Sequence, residues 1–144
     1  MEIKQIGIIH TPFKTRAETP IQPFRSKAIG QVEVFKEYEE GLTDIEGFSH
    51  IILLYNFHKS EGYSLMVKPF LDDKLKGLFD TRAPKRPNQI GLSVVRLLIR
   101  EENVLFVEGI DVLDGTPLID IKPYVPNFEP NTEFKIGWLE GKIK

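Results

Sequence analysis

The chain contains no cysteine, which excludes disulfides, thiolate metal sites and a cysteine nucleophile. Its three histidines, His10, His50 and His58, lie too far apart in sequence for an H-E-x-x-H zinc motif. None of its 11 glycines falls into a G-x-G-x-x-G, G-K-[ST] or G-x-S-x-G pattern, so dinucleotide binding, P-loop phosphate binding and a serine nucleophile elbow all lack their signatures. We expect no metal. No apolar run approaches the roughly 18 residues of a membrane span, and the N-terminus MEIKQIGIIH lacks the basic-then-apolar order of a leader. The expectation is a soluble, cytoplasmic protein with no membrane segment.

At 144 residues with 41% hydrophobic content and 10 phenylalanines, the chain is sized for one domain, 1–144, around one core. Its net charge of −2 argues against a protein that coats nucleic acid generally. The charges are nevertheless segregated. Residues 79–100 hold five basic groups and one acid, and residues 2–30 five and two, whereas 31–48 and 101–120 sum to −5 and −6. If the basic segments meet, they form a positive surface on an acidic body.

Period-2 alternation marks strands over Glu2–His10, Ile29–Phe35 and Leu118–Lys122. The apolar run Ile51–Tyr55 inside Phe48–His58 predicts a strand covered on both faces at the centre of a sheet. Tyr63–Val67 reads as a further short strand, Leu92–Arg100 and Val104–Ile110 as a hairpin turning at Glu101–Asn103, and Phe134–Leu139 as an edge strand. Lys36–Gly41 is at most one helical turn, and 68–78 a loop with another. Asp114-Gly115 tolerates the positive φ of a tight hairpin turn. Many short strands and almost no helix predict a mainly β fold, an antiparallel sheet curled into a barrel or sandwich with short helical turns.

The chain is organised around Phe79–Val95, FDTRAPKRPNQIGLSVV. Pro84 and Pro87 remove backbone donors and fix φ, so this stretch is a stiff loop feeding a strand. It carries Arg82, Lys85, Arg86 and Asn88. Three other polar segments accompany it at strand ends: PIQPFRS (Pro20–Ser26), Asn56–Lys59 and LDGTP (Leu113–Pro117). Each has a plain reading as a solvated turn. Together, on one rim, they would offer basic groups for an anion, backbone donors near Gly115 and Thr116, an acid at Asp114 and Phe24 as a stacking surface, which suits a nucleoside-bearing ligand.

GIIHTPF (Gly7–Phe13), GFSHIILLYNFH (Gly47–His58), TRAPKRPNQIGLSVV (Thr81–Val95) and LDGTPLIDIKPYVP (Leu113–Pro126) together resemble the TsaA-like family, whose members include the TrmO tRNA methyltransferases. The resemblance implies a small antiparallel single-sheet β-barrel, a homodimer, and S-adenosylmethionine as cofactor. It also implies methyl transfer to the exocyclic amine of threonylcarbamoyl-adenosine beside the tRNA anticodon. Carried over by motif, the cofactor contacts are Gln22, Pro23, Phe24, His58, Lys59, Arg82, Leu92, Leu113, Asp114, Gly115 and Thr116. The likeness covers the barrel, without the additional C-terminal domain shared by longer bacterial members. The first loop reads P-I-Q-P where many members have an arginine before the glutamine.

Such a transfer depends on placing a nitrogen lone pair against the methyl carbon, with a weak acceptor taking the proton late. Asn88 is the expected acceptor. Arg82 is expected to fix the cofactor or to pair with the threonylcarbamoyl carboxylate through its planar fork. Arg25, Lys85 and Arg86 are the expected tRNA phosphate contacts. The rival reading is a regulatory module on the same barrel that binds S-adenosylmethionine or a nucleoside and transfers nothing.

Overall fold

The computed structural model describes residues 1–19, 26–126 and 133–142. Among the described residues eight strands form: β1 Gly7–His10, β2 Ile29–Val34, β3 His50–Asn56, β4 Met66–Val67, β5 Lys76–Gly77, β6 Ile90–Glu101, β7 Val104–Glu108 and β8 Thr116–Pro123. Six of them close an antiparallel barrel in the order β1-β2-β7-β6-β3-β8, while β4 and β5 pair as a separate ribbon. The sheet closes through β1 on β8, which decides between barrel and sandwich.

Alternation explains the core. Along β6, Gly91, Ser93, Val95 and Leu97 point inward and are buried, while their neighbours are exposed. Val32 and Val34, Ile51 and Leu53, Leu105 and Val107 do the same from β2, β3 and β7, and with Ile9 and Leu118 they fill the barrel. Burying each such aliphatic side chain contributes roughly 1.5–3 kcal/mol.

Several expectations change. Strand β3 is not a central strand covered on both faces, because a closed barrel has no centre. Ile51, Leu53 and Tyr55 are buried and Ile52 and Leu54 only half-buried. Closure also leaves no edge for Phe134–Leu139. There Gly137 takes φ +58°, Gly137–Leu139 is a short 3-10 turn, and the Trp138 indole donates to the Asp80 carbonyl at 2.9 Å. Asp114-Gly115 is a turn, with Gly115 at φ +83°, but not a hairpin. It joins β7 to β8, which have different neighbours in the barrel. Met66–Val67 pairs with Lys76–Gly77, so the stretch read as a loop contains a strand. The β6–β7 hairpin forms as expected, turning at Glu102, φ +54°.

Antiparallel closure puts the C-terminal ends of β1, β3 and β7 beside the N-terminal ends of β2, β6 and β8. Of the segments singled out from the sequence, Asn56–Lys59, the loop 81–89 and Leu113–Pro117 lie at this one rim.

Among the described residues, no helix is long and apolar enough to cross a membrane.

Candidate functional site

The loop between Thr81 and Gln89 is locked by its own polar groups. Arg86 Nη1 donates to the carbonyls of Thr81 and Ala83, both at 3.0 Å, and its guanidinium lies 5.9 Å from the centre of the Phe79 ring. Gln89 fastens the far end to the segment after β3. Its carbonyl accepts from Phe57 N at 2.8 Å, and its Nε2 donates to the Ser60 carbonyl at 2.6 Å. Arg16, from the loop after β1, reaches Ser60 Oγ at 3.3 Å. A proline-stiffened loop held at both ends presents its remaining side chains with little ordering cost.

Between these loops lies a cavity of ≈ 530 Å³. Its wall is apolar at Phe57, Ile90, Leu92 and Leu113. Its rim carries Arg16, Lys59, Arg82 and Arg86, and Asp111 lies in the wall. Burial, and after it the neighbouring Lys59 charge, lowers the pKa of His58, so its imidazole is neutral at neutral pH.

The cavity wall is built by strand register. Leu53 pairs with Ser93 and Tyr55 with Gly91 across β3 and β6. Gly91 has no side chain because a Cβ there would collide with the Tyr55 and Phe57 rings. Those rings meet edge to face at 5.4 Å. The Tyr55 hydroxyl lies 2.7 Å from Ser93 Oγ, and Ser93 Oγ donates to Asp111 Oδ1 at 2.7 Å. Burial is the main cause that raises the Asp111 carboxyl pKa, opposed by the Ser93 hydrogen bond and the Arg82 charge. Burial, reinforced by Asp111, pushes the Tyr55 phenol up and keeps it protonated.

Of the residues expected from the sequence, His58, Lys59, Arg82, Leu92, Leu113, Thr116 and Arg86 come together on the cavity. Thr116 is fixed by donating from Oγ1 to the Leu113 carbonyl at 2.6 Å. Asp114 is instead engaged in a clasp. It accepts from Lys14 Nζ at 2.6 Å and Thr11 N at 2.9 Å, and these contacts, Lys14 foremost, hold its carboxyl below the usual range. Gly115, Lys85 and Asn88 are exposed and are not part of the lining. Arg86 spends Nη1 on loop carbonyls, so its first job is shaping the loop. Gln22, Pro23, Phe24 and Arg25 lie outside the described residues.

Sequence reasoning missed Arg16, Tyr55, Ser93 and Asp111. Two signals were present. Ser93 is a lone hydroxyl on the inward face of an apolar strand, and Asp111 is a lone charge between the buried Ile110 and Val112. Buried polar groups of this kind need partners.

Cavity, basic rim and polar floor define a small ligand-binding β-barrel whose site accommodates a molecule with apolar faces and charged ends. The chain belongs to the family of the tRNA-methyltransferase O N-terminal domain, whose family model matches residues 8–130. It is 54% identical to a probable S-adenosyl-L-methionine-binding protein of Pyrococcus abyssi, over 97% of this chain and 77% of that one. It is 36% identical to the tRNA (adenine(37)-N6)-methyltransferase of Mus musculus, over 86% of this chain and 31% of the mouse protein. The crystal structure of TrmO from Pseudomonas aeruginosa superimposes with a TM-score of 0.76 at 36% identity, covering 96% of this chain and 62% of that one. The chain thus spans about three-fifths of the TrmO chain it matches.

Proposed function

We propose that this barrel is an S-adenosylmethionine-dependent methyltransferase acting on the exocyclic amine of threonylcarbamoyl-adenosine beside the tRNA anticodon. The observation that carries the reading is the convergence on one cavity of His58, Lys59, Arg82, Leu92, Leu113 and Thr116, in a chain of the TrmO family.

The cavity fits the cofactor in size and chemistry. Its ≈ 530 Å³ lies within the range of roughly 300–1,000 Å³ common for small-molecule sites. Leu92, Ile90 and Phe57 offer apolar surface for an adenine ring, and Lys59, Arg16 and Arg82 offer cations for a carboxylate. When bound, the cofactor supplies an electrophilic methyl group on a sulfonium. The chain's own task is positioning. The Arg82 guanidinium stands at the cavity, and its planar fork suits a carboxylate. Neutral His58 adds no charge to repel a sulfonium. Lys85 and Arg25 are the tRNA phosphate contacts in this reading, with Arg86 contributing through the loop it shapes.

The protein works as a homodimer in this proposal. Along β6 beyond the cavity, Val94, Leu98 and Ile99 are exposed, apolar surface that suits a second copy. Sedimentation is expected to show a dimer that Val94→Glu with Leu98→Glu turns into a monomer. A monomeric unsubstituted protein removes this part.

The reaction is tested by mass spectrometry of nucleosides from threonylcarbamoylated tRNA incubated with the protein and S-adenosylmethionine. One added methyl on threonylcarbamoyl-adenosine is expected. Cofactor binding without methylation of any tRNA would favour the regulatory-module reading, which the exposed position of the expected acceptor Asn88 keeps in view.

A further inference from the structure

Tyr55, Ser93 and Asp111 form a hydrogen-bonded chain that cofactor positioning does not use. Ser93 Oγ donates its only proton to Asp111 Oδ1, so at its contact with Tyr55 it must accept, and the phenol donates. The protons therefore point one way, from Tyr55 through Ser93 to the carboxylate. Tyr55 and Ser93 are 2% and 1% exposed, and Asp111 is partly buried on the cavity wall. No other described side chain bonds to Asp111. An inward polar chain costs more than apolar packing of the same volume. What it provides is a carboxylate on the cavity wall held in one orientation by Ser93 and a backbone N–H.

We propose that Asp111 is the proton acceptor for the nitrogen that becomes methylated, with Ser93 and Tyr55 as its positioning residues. The inference rests on the methyl transfer proposed above. The acceptor nitrogen lies between a carbamoyl carbon and the purine ring, and its lone pair is delocalised into both. It becomes strongly nucleophilic only as its proton leaves. As the nitrogen–carbon bond forms, the carbon–sulfur bond breaks and sulfur keeps that electron pair as a neutral thioether. The N–H proton passes to the Asp111 carboxylate, which then releases it to water. Asn88 is exposed and off the cavity, and an amide oxygen is a far weaker base.

The charged and titratable groups around Asp111 are Tyr55 from β3 and Arg82 from the loop, with Arg16, His58, Lys59 and Arg86 on the surrounding wall and rim. Burial favours the protonated acid, whereas Arg82 and Ser93 favour the carboxylate. This balance supports a group that both takes up and releases a proton.

The test compares Asp111→Asn and Tyr55→Phe with the unsubstituted chain. For Asp111→Asn, the single-turnover methylation rate is expected to fall at least about 100-fold, while S-adenosylmethionine affinity by calorimetry stays within about threefold. Carbon-13 NMR supplies a readout independent of turnover. The Asp111 carboxyl, identified by its absence from Asp111→Asn, is expected to titrate above the ordinary value of about 3.9. In Tyr55→Phe the chain loses a donor, so that titration and the acid limb of the rate profile should both move to higher pH. A network serving stability alone would shift the melting temperature and leave the acid limb in place.

An Asp111→Asn protein that methylates within about threefold of the parent overturns the assignment. So does a loss of cofactor affinity that matches the loss of rate, which would move Asp111 to the cofactor. If Asp111→Asn fails to fold, an unmoved acid limb in Tyr55→Phe is the contradicting result. An unsubstituted chain that binds cofactor and methylates nothing removes the methyltransferase reading itself. A methylating parent beside an unaffected Asp111→Asn removes only the role of Asp111.

Discussion

The two rims of the barrel are built on the same strands and the same inward alternation, yet they differ in charge and in the length of their connections. At the cavity rim, long irregular loops bring together Arg16, Lys59, Arg82 and Arg86, with Lys85 nearby. At the opposite rim the chain turns through the 3-10 segments Lys36–Leu42 and Ile45–Gly47 and the tight hairpin at Glu102. Glu37, Glu39, Glu40, Glu46 and Glu101 crowd there, and Arg100 is used up holding the Leu42 carbonyl at 3.3 Å beside Glu46 at 3.8 Å. Strand packing accounts for both rims equally. The loops alone make one of them a site, and its positive field is what would draw an anionic partner to that end of an acidic protein.

The largest effect should come from removing the cation that the loop presents to the cavity. Arg82→Ala is expected to lower methylation at least about 100-fold, because the bidentate fork it presents to the cavity has no substitute there. Arg82→Lys should recover little of it, since a point charge lacks the fork. The matched change at the far rim, Glu101→Lys with Glu102→Lys, should leave single-turnover rates unaltered. Equal losses at both rims would mean that the basic rim is not the seat of the chemistry.

Next in size is the packing that shapes the cavity wall. Gly91→Ala puts a methyl group into the Tyr55 and Phe57 rings and is expected to cost roughly 1–3 kcal/mol in denaturant unfolding. Gly47→Ala at the far rim, where a Cβ meets nothing within 4 Å, should cost far less. Lys85→Ala tests the outer surface of the site. The slope of log affinity for tRNA against log salt should fall by roughly 0.7–0.9 if this side chain meets a phosphate, and an unchanged slope rules the contact out.

The smallest effects separate two carboxylates near the cavity rim. The Asp114 carboxyl pKa is lowered, chiefly by Lys14. It therefore contributes stability above the ordinary carboxylate pKa that is lost as pH falls through the lowered value, and Asp114→Asn should cost roughly 0.5–1 kcal/mol at pH 7 and nothing in strong acid. The Asp111 pKa is raised by burial, so the sign is opposite. Its contribution is present below the ordinary pKa and lost as pH rises through the raised one. Asp111→Asn should then melt no lower than the parent at pH 7 even though its methylation rate is expected to fall. A site residue that trades stability for function behaves in this way. A lower melting temperature in both variants at pH 7 would erase the distinction.

Much of this site is legible in the order of residues alone. Pro84 and Pro87 mark a stiff loop, and the polar strand ends Asn56–Lys59 and Leu113–Pro117 share its rim, because an antiparallel barrel sends alternate loops to one end. In β6 both faces are apolar apart from Arg96, so which face is buried is set by closure of the barrel and not by the local pattern. What local pattern cannot carry is pairing between distant segments. Asp114-Gly115 has the dipeptide of a hairpin, but β8 lies between β1 and β3. The polar wall is hidden for the same reason. Tyr55, Ser93 and Asp111 lie on three separate segments, and only the register that sets Leu53 against Ser93 brings their hydroxyls and carboxylate into line.

Backbone chemical-shift mapping with S-adenosylmethionine tests most directly whether the chemistry belongs to the basic rim of the barrel. Shifts are expected to concentrate in 57–60, 81–92 and 111–116, the segments that line the cavity, with silence in 36–47 and 101–103. Shifts centred on the acidic rim, or no response to the cofactor anywhere in the barrel, would contradict it.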